Sequence, residues 1–242
     1  MLCYCLLVQQ CQSKPRHDWE TVITSESVAN FSKALQMNEP PVRMVFMRPA
    51  KSHRKTVKHF DEPNDARELT FSCYQRLPLL TNDVWREMLS RAIDAAVDRH
   101  HWGLTAFVFM PEHVHLLMFP LSPQASKLES VLKAMKRPYS YRIKQCLIAH
   151  ASPLLQRLTV RQRPGVETFR YWQEGPGYDR NLDSPKAVVN SIDYFHQNPV
   201  RRGLCQQSTD WRWSSARWYA SDGRLVDEAL PKLTPIPSYF WS

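Results

Sequence analysis

Residues 103–120 read GLTAFVFMPEHVHLLMFP, two apolar runs hinged on Pro111. Each run has the length and the aromatic and branched content of a buried strand. The proline breaks the pattern between them, so the pair predicts two adjacent strands of one sheet, 103–110 and 112–120. Successive strand side chains point to opposite faces. His113 and His115 therefore project together, while Val114 and Leu116 point the other way.

Outward from this hairpin, Leu69 to Gln75 alternates between apolar and polar faces, a strand pattern. Thr81 or Asn82 can cap a helix that runs to about His101, with Trp85, Met88, Leu89, Ala92, Ala96 and Val97 as its apolar stripe. A second amphipathic helix from about Ser126 carries Val131, Leu132, Met135, Tyr139, Ile143 and Leu147, with Pro138 expected to kink or break it. A basic loop follows. Phe169 to Gln173 and Gly177 to Asn181 then form a fourth strand region around the Gly175-Pro176-Gly177 turn. Asp183 or Ser184 caps a further helix, with Pro185 at its first position and Pro199 closing it. The order strand, helix, strand, strand, helix, strand, helix predicts an α+β fold, an antiparallel sheet backed by helices.

The chain has 242 residues and a formal net charge of +9. The excess is concentrated: 11 basic against 4 acidic residues lie between Leu121 and Arg180, a footprint for a polyanion. A solvated helix face would carry such a pattern too. With 43% apolar and 11% aromatic residues, wholesale disorder is excluded. No apolar run of about 18 residues exists to cross a bilayer, and Met1 to Val8 lacks the basic leader of a signal peptide. The six scattered cysteines suit reduced thiols in a cytosol. Cys3, Cys5, Cys11 and His17 match no standard zinc spacing. None of the six glycines precedes a lysine, so the nucleotide-binding phosphate loop is absent and no ATP dependence is expected.

Two segments carry chemistry. His113 and His115 on one strand face make a bidentate start for a divalent ion. Tyr194 and Asn198, four residues apart on a helix, place a phenol and an amide oxygen on one face, and such an oxygen suits Mg²⁺ or Mn²⁺. Alone, each segment also has an ordinary origin, as a packed histidine pair or as a helix end with its stop proline. Tyr139, Tyr141 and Tyr178 compete as nucleophiles, but none has an Asn or Gln one turn on. His196 lies about 200° around the helix from Tyr194, which assigns it to structure or DNA contact rather than to metal.

Together the segments resemble a family. Residues 109–117, FMPEHVHLL, are similar to the HUH motif (histidine, bulky hydrophobic, histidine) of the single-tyrosine transposases. Residues 171–180, the block DYFHQNPVRRGL at 193–204 and DWRWSS at 210–215 resemble the signature blocks of the REP-associated tyrosine transposases. The resemblance covers residues 66 to 220 and departs at Glu112, where the family usually carries Asn. By alternation Glu112 should point away from the metal. The implied organisation is a flexible basic arm (1–62), an HUH transposase domain (63–205) of ferredoxin-like or RRM-like fold, and a C-terminal aromatic and basic segment (206–242).

By this resemblance His113, His115 and Asn198 hold one Mg²⁺ or Mn²⁺ at the scissile phosphate, and Tyr194 attacks phosphorus. The product is a 5′-phosphotyrosine with a free 3′-hydroxyl, and rejoining needs no nucleotide cofactor. The implied partner is single-stranded, hairpin-forming DNA, bound by a monomer or homodimer in the cytoplasm, or on the nucleoid when engaged. The basic residues Lys133, Lys136, Arg137, Arg142, Lys144, Arg161 and Arg163 are the candidate DNA contacts. Trp211, Arg212, Trp213, Arg217, Trp218 and Tyr219 either grip DNA or dock the C-terminal segment on the core. A non-catalytic nucleic-acid-binding domain on the same fold and a replication or mobilisation relaxase are the alternatives.

Overall fold

The computed structural model of the protein describes residues 66–175 and 177–237. The basic arm and the Cys3, Cys5, Cys11 and His17 group lie outside the described residues. Six strands and five α-helices follow in chain order: β1 (Ala66–Ser72), α1 (Asp83–His100), β2 (Trp102–Phe109), β3 (His113–Pro120), α2 (Leu128–Ala149), α3 (Leu154–Leu158), β4 (Thr159–Arg163), β5 (Val166–Phe169), β6 (Tyr178–Leu182), α4 (Pro185–Arg201) and α5 (Ala216–Ala220). β2, β3, β1 and β6 form, in that order, an antiparallel sheet, as the alternation patterns require.

The pleat divides the core in two. Leu69, Phe71, Phe107, Phe109, Val114, Leu116 and Met118 meet the apolar stripes of α1 and α2 on one face. Ala106, Val108, Leu117, Phe119 and Leu182 meet Val188, Ile192 and Phe195 of α4 on the other. His113 and His115 share the α4 face with Leu117, so the alternation read from the strand is the one the structure adopts. Both sheet faces are covered, and β2 and β3 are buried along almost their whole length.

The helix starts follow local rules. The Asn82 side chain accepts from the Trp85 amide at 3.1 Å and caps α1. Pro185 occupies the first turn of α4, where its missing N–H has no helical partner to lose.

Two prolines lie within helices: α2 runs past Pro138 as the expected stripe through Leu147 requires, whereas the stop expected at Pro199 does not occur. Pro138 lies inside α2, which continues to Ala149. The residue is exposed, so the carbonyl left without a helical donor sits on the water side. Pro199 likewise does not close α4. The helix runs to Arg201 and ends in a Schellman motif, with the Leu204 amide donating to the Pro199 carbonyl and the Gly203 amide to the Val200 carbonyl, both at 2.9 Å. Gly203, at φ 68°, takes the left-handed position that this ending requires.

The basic segment expected as a loop is instead α3 followed by the hairpin β4–β5, with Arg161 paired to Glu167 and Arg163 to Val166. Its strands are mostly polar and none of their residues is buried, so no apolar alternation announces them. The fourth strand region splits: Trp172 makes a single bridge to Cys73, and β6 pairs with β1. Gly177, at φ 80°, joins these pieces beside the Thr70 carbonyl, into which any Cβ would collide.

The C-terminal segment docks on the free edge of β2. The Phe109 amide donates to the Trp213 carbonyl at 2.8 Å, the Ser215 amide to Phe107 at 3.0 Å and the Thr234 amide to Leu104 at 2.7 Å. The Arg86 guanidinium lies 5.3 Å from the rings of both Trp211 and Trp213. The segment also latches α4. His196 Nε2 meets the Ser215 hydroxyl at 2.8 Å, and its ring lies 5.3 Å from that of Tyr219.

Burial depresses His196, which titrates at about 4 against about 6.5 in an unfolded chain. Between those values the unfolded chain takes up a proton that the folded state refuses. This stability is present above pH 6.5 and is lost as the pH falls through 4. We expect His196 to account for up to about 3 kcal/mol of acid destabilisation. Urea midpoints at pH 7 and pH 4.5 should therefore move less in His196→Gln than in the parent; equal movement would remove His196 as the source.

Candidate active site

The first turn of β3 and the last turns of α4 meet at one end of the sheet. His113 Nε2 lies 3.0 Å from His115 Nε2, and Asn198 Nδ2 lies 3.0 Å from the same His115 nitrogen. All three residues are buried. Phe195, fully buried beside them, stacks on His115 at 5.1 Å and 24°, which sets how closely α4 approaches β3. Tyr194, one position earlier, turns toward the opening. It is 41% exposed, and its ring packs edge-on to His115 at 5.5 Å.

The outer nitrogens of both imidazoles are occupied. Thr70 Oγ1 holds His115 Nδ1 at 2.7 Å, and the Glu112 carboxylate holds His113 Nδ1 at 3.0 Å. Each contact orients the ring so that Nε2 faces its partner, the way supporting groups orient metal-binding histidines. Burial, followed by the charge of His113, lowers His115 to about 3, so it stays neutral with a lone pair available across the physiological range.

Glu112 is the clearest departure from expectation. Alternation would turn it to the far face, but it precedes the first residue of β3 and its carboxylate lies at the site. Besides His113, it pairs with Arg202 and, at 3.7 Å, with Arg76. Burial alone would raise its carboxyl. The hydrogen bonds from His113 and Arg202 prevail and hold it at about 2, so it is an anion at any working pH.

These residues line an open cleft of ≈480 Å³ together with Tyr194, Asn198 and Arg201. The Arg201 guanidinium lies 5.5 Å over the Tyr194 ring. Arg76, Arg201 and Arg202 were not among the sequence candidates. The helical spacing Tyr194, Asn198, Arg201 and Arg202 would have exposed two of them, had Pro199 not been taken as the stop. Arg76 has no such signal, because a turn 118 positions before Tyr194 carries it to the site.

The other candidates lie elsewhere. Lys133, Lys136, Arg137, Arg142 and Lys144 belong to α2, which covers the face opposite α4. Lys133 pairs with Glu129 one turn back. Lys136 rests 4.2 Å over the Phe71 ring, and burial pushes it down to about 8. Arg161 and Arg163 are exposed on the β4–β5 hairpin. Among the competing tyrosines, Tyr139 is fully buried with its hydroxyl on Tyr171, at 2.9 Å. Tyr141 is exposed on α2, and Tyr178 sits across Thr70 from His115 in the sheet. Among the described residues no group of three His, Cys, Asp or Glu side chains is placed to hold a metal. The donor set at the cleft is two imidazoles and one amide.

The sheet, with helices on both faces, bears a histidine pair on its third strand opposite a helix that carries an exposed tyrosine. Residues 67–157, from β1 into α3, match the model of the family described as IS200-like transposase. The fold is shared with a REP-associated tyrosine transposase solved bound to a REP hairpin: 18% identity, TM-score 0.53, 75% of this chain and 93% of that one. A putative transposase from Deinococcus radiodurans R1 is also similar, with 18% identity, TM-score 0.37, 58% of this chain and 95% of that one. No curated protein matches. Among the described residues no helix is long and apolar enough to cross a membrane.

Glu112 neutralises part of an otherwise cationic opening and bonds a buried ring. Replacing it with Ala should cost about 1–2 kcal/mol in urea unfolding, the Arg202 share being discounted for its exposure. A double-mutant cycle with Arg202→Ala should show coupling of about 0.5–1 kcal/mol; additivity would mean that the two residues do not interact in solution.

Proposed function

We propose that the protein is a metal-dependent transposase-type endonuclease that nicks and rejoins single-stranded, hairpin-forming DNA through a tyrosine-linked intermediate. One observation carries this reading: two imidazole nitrogens and one amide meet within 3.0 Å contacts at the base of a cleft whose wall is an exposed tyrosine, all from one chain.

The donor set fits Mg²⁺ or Mn²⁺. The two imidazoles direct their inner nitrogens at each other, and a half-turn of the Asn198 amide presents Oδ1 in place of Nδ2, the two atoms being interchangeable in shape. His113, His115 and Asn198 are the residues that would hold the ion. Bound there, it would supply positive charge to a phosphate oxygen and so favour attack at phosphorus.

The chain's own residues do the rest. Thr70 and Glu112 keep the histidines oriented. Arg201, over the Tyr194 ring, limits the positions the phenol can take. In the reaction the Tyr194 oxygen forms a bond to phosphorus while the bond from phosphorus to the 3′-oxygen breaks. The phenol proton leaves to water and the departing 3′-oxygen takes one up. A 5′-phosphotyrosine and a 3′-hydroxyl result, and the reverse attack by a 3′-hydroxyl rejoins a strand with the bond energy conserved. The structural relative bound to a REP hairpin supports hairpin DNA as the substrate class.

With Mn²⁺ and a single-stranded hairpin oligonucleotide, the full chain should form an adduct that survives denaturing electrophoresis. Tyr194→Phe should abolish it, and His113→Ala, His115→Ala or Asn198→Ala should reduce it by at least about a hundredfold, comparable to loss of a metal or oxyanion contact. Persistence of the adduct in Tyr194→Phe would exclude that residue. Failure to form any adduct across a hairpin library, with DNA binding retained, would leave a binding module on the same fold.

A further inference from the structure

We propose that Arg76 and Arg202, bridged by Glu112, form a phosphate-binding site that holds the backbone of a single DNA strand beside the phosphate attacked by Tyr194. The inference rests on the nicking reading only in taking this cleft as the place where the strand enters.

Two guanidinium groups from distant elements, a 3-10 turn (Tyr74–Arg76) and the cap of α4, converge on the same oxygen, Oε1 of Glu112, which also faces His113 Nδ1. The shared carboxylate draws the two like charges to one point, and it cannot by itself offset the three arginines that line the cleft. Over the Arg and Glu side chains that line it, the opening keeps an excess of two positive charges next to the candidate nucleophile. Planar donor forks of this kind match phosphate oxygens better than any neutral ligand.

Arg76 is aimed there by its backbone. Gln75 and Arg76 have φ of 51° and 54°, two consecutive left-handed residues without a glycine. The surrounding hydrogen bonds hold them so: Arg76 N to Cys73 O at 3.0 Å, Leu77 N to Tyr74 O at 3.0 Å, Tyr74 N to Tyr171 O at 2.8 Å and Gln75 N to the Gln173 side chain at 3.1 Å. The segment around Tyr171 thus fixes the turn, and the turn fixes Arg76. Its side chain remains 68% exposed, and its 3.7 Å contact with Glu112 is long. A guanidinium held in place by backbone and only loosely paired can exchange the carboxylate for a phosphate at small cost. Glu112 keeps both arginines at the cleft until a strand arrives.

The test separates this site from the cleavage chemistry. Binding of a fluorescent single-stranded hairpin oligonucleotide to the full chain is measured by anisotropy in EDTA, where no cutting occurs, across about 50–200 mM salt. Each lost phosphate contact should flatten the dependence of log affinity on log salt by about 0.7. Arg76→Gln and Arg202→Gln should each show that change and about a tenfold loss of affinity, and the double variant about twice the change in slope. Arg76→Gln, at an exposed position, decides the matter should Arg202→Gln fail to fold. An unchanged slope in folded Arg76→Gln overturns the proposal even where the tyrosine adduct forms. A flattened slope without any adduct supports the phosphate site and counts against the nicking reading alone.

Discussion

The contact between Phe195 and His115 is the constraint around which the molecule is organised. Phe195 is buried among Val108, Leu117 and Ile192, and its ring lies on the imidazole. This pairing docks α4 on the second face of the sheet, and the site follows from it. With one face of α4 committed to the core, Tyr194 and Asn198 both fall on one flank of the buried stripe, Asn198 about 40° nearer to it and so turned inward to the histidines, Tyr194 farther round and so toward water. The latch of His196 to Ser215 fixes the other flank. The helix is thus held from the sheet and from the C-terminal segment, and the donor set is assembled within a single chain.

Electrostatics at the cleft depend on that docking as well. Glu112 meets Arg202 only because α4 continues past Pro199 and brings its last turn over the start of β3. The carboxylate then acts on both sides of the site, orienting His113 through its outer nitrogen and holding arginines at the opening. The positive charge of the opening and the group that orients His113 are therefore one connected arrangement. The basic residues of α2 stand apart from it, on the opposite face of the sheet.

Much of this was legible in the sequence because it is periodic or local. The strand alternation at 113–118 placed both histidines on one face, and the four-residue spacing of Tyr194 and Asn198 placed them on one side of a helix. Asn82, Ser184 and Pro185 marked helix starts. The errors share a cause. The sequence suggests a kink or break at Pro138 and a stop at Pro199, yet a proline removes one hydrogen bond only, and packing of Tyr139, Ile143 and Leu147 in α2, and the Schellman ending at Gly203 in α4, outweigh that loss. The β4–β5 hairpin is not legible in the sequence because its mostly polar strands, with no buried residue, leave no apolar pattern.

The sequence by itself determined the α+β class, the layering of the sheet, and the placing of His113 with His115 on one strand face and of Tyr194 with Asn198 on one helix face, since each follows from side-chain direction within one element. Tertiary structure alone decided that these four residues meet in one chain, that Glu112 turns into the cleft and that Arg76 joins Arg202 there. Those outcomes depend on distances between elements far apart in the chain, set by how a phenylalanine ring, a strained turn and a helix end pack together, and no local periodicity encodes such distances.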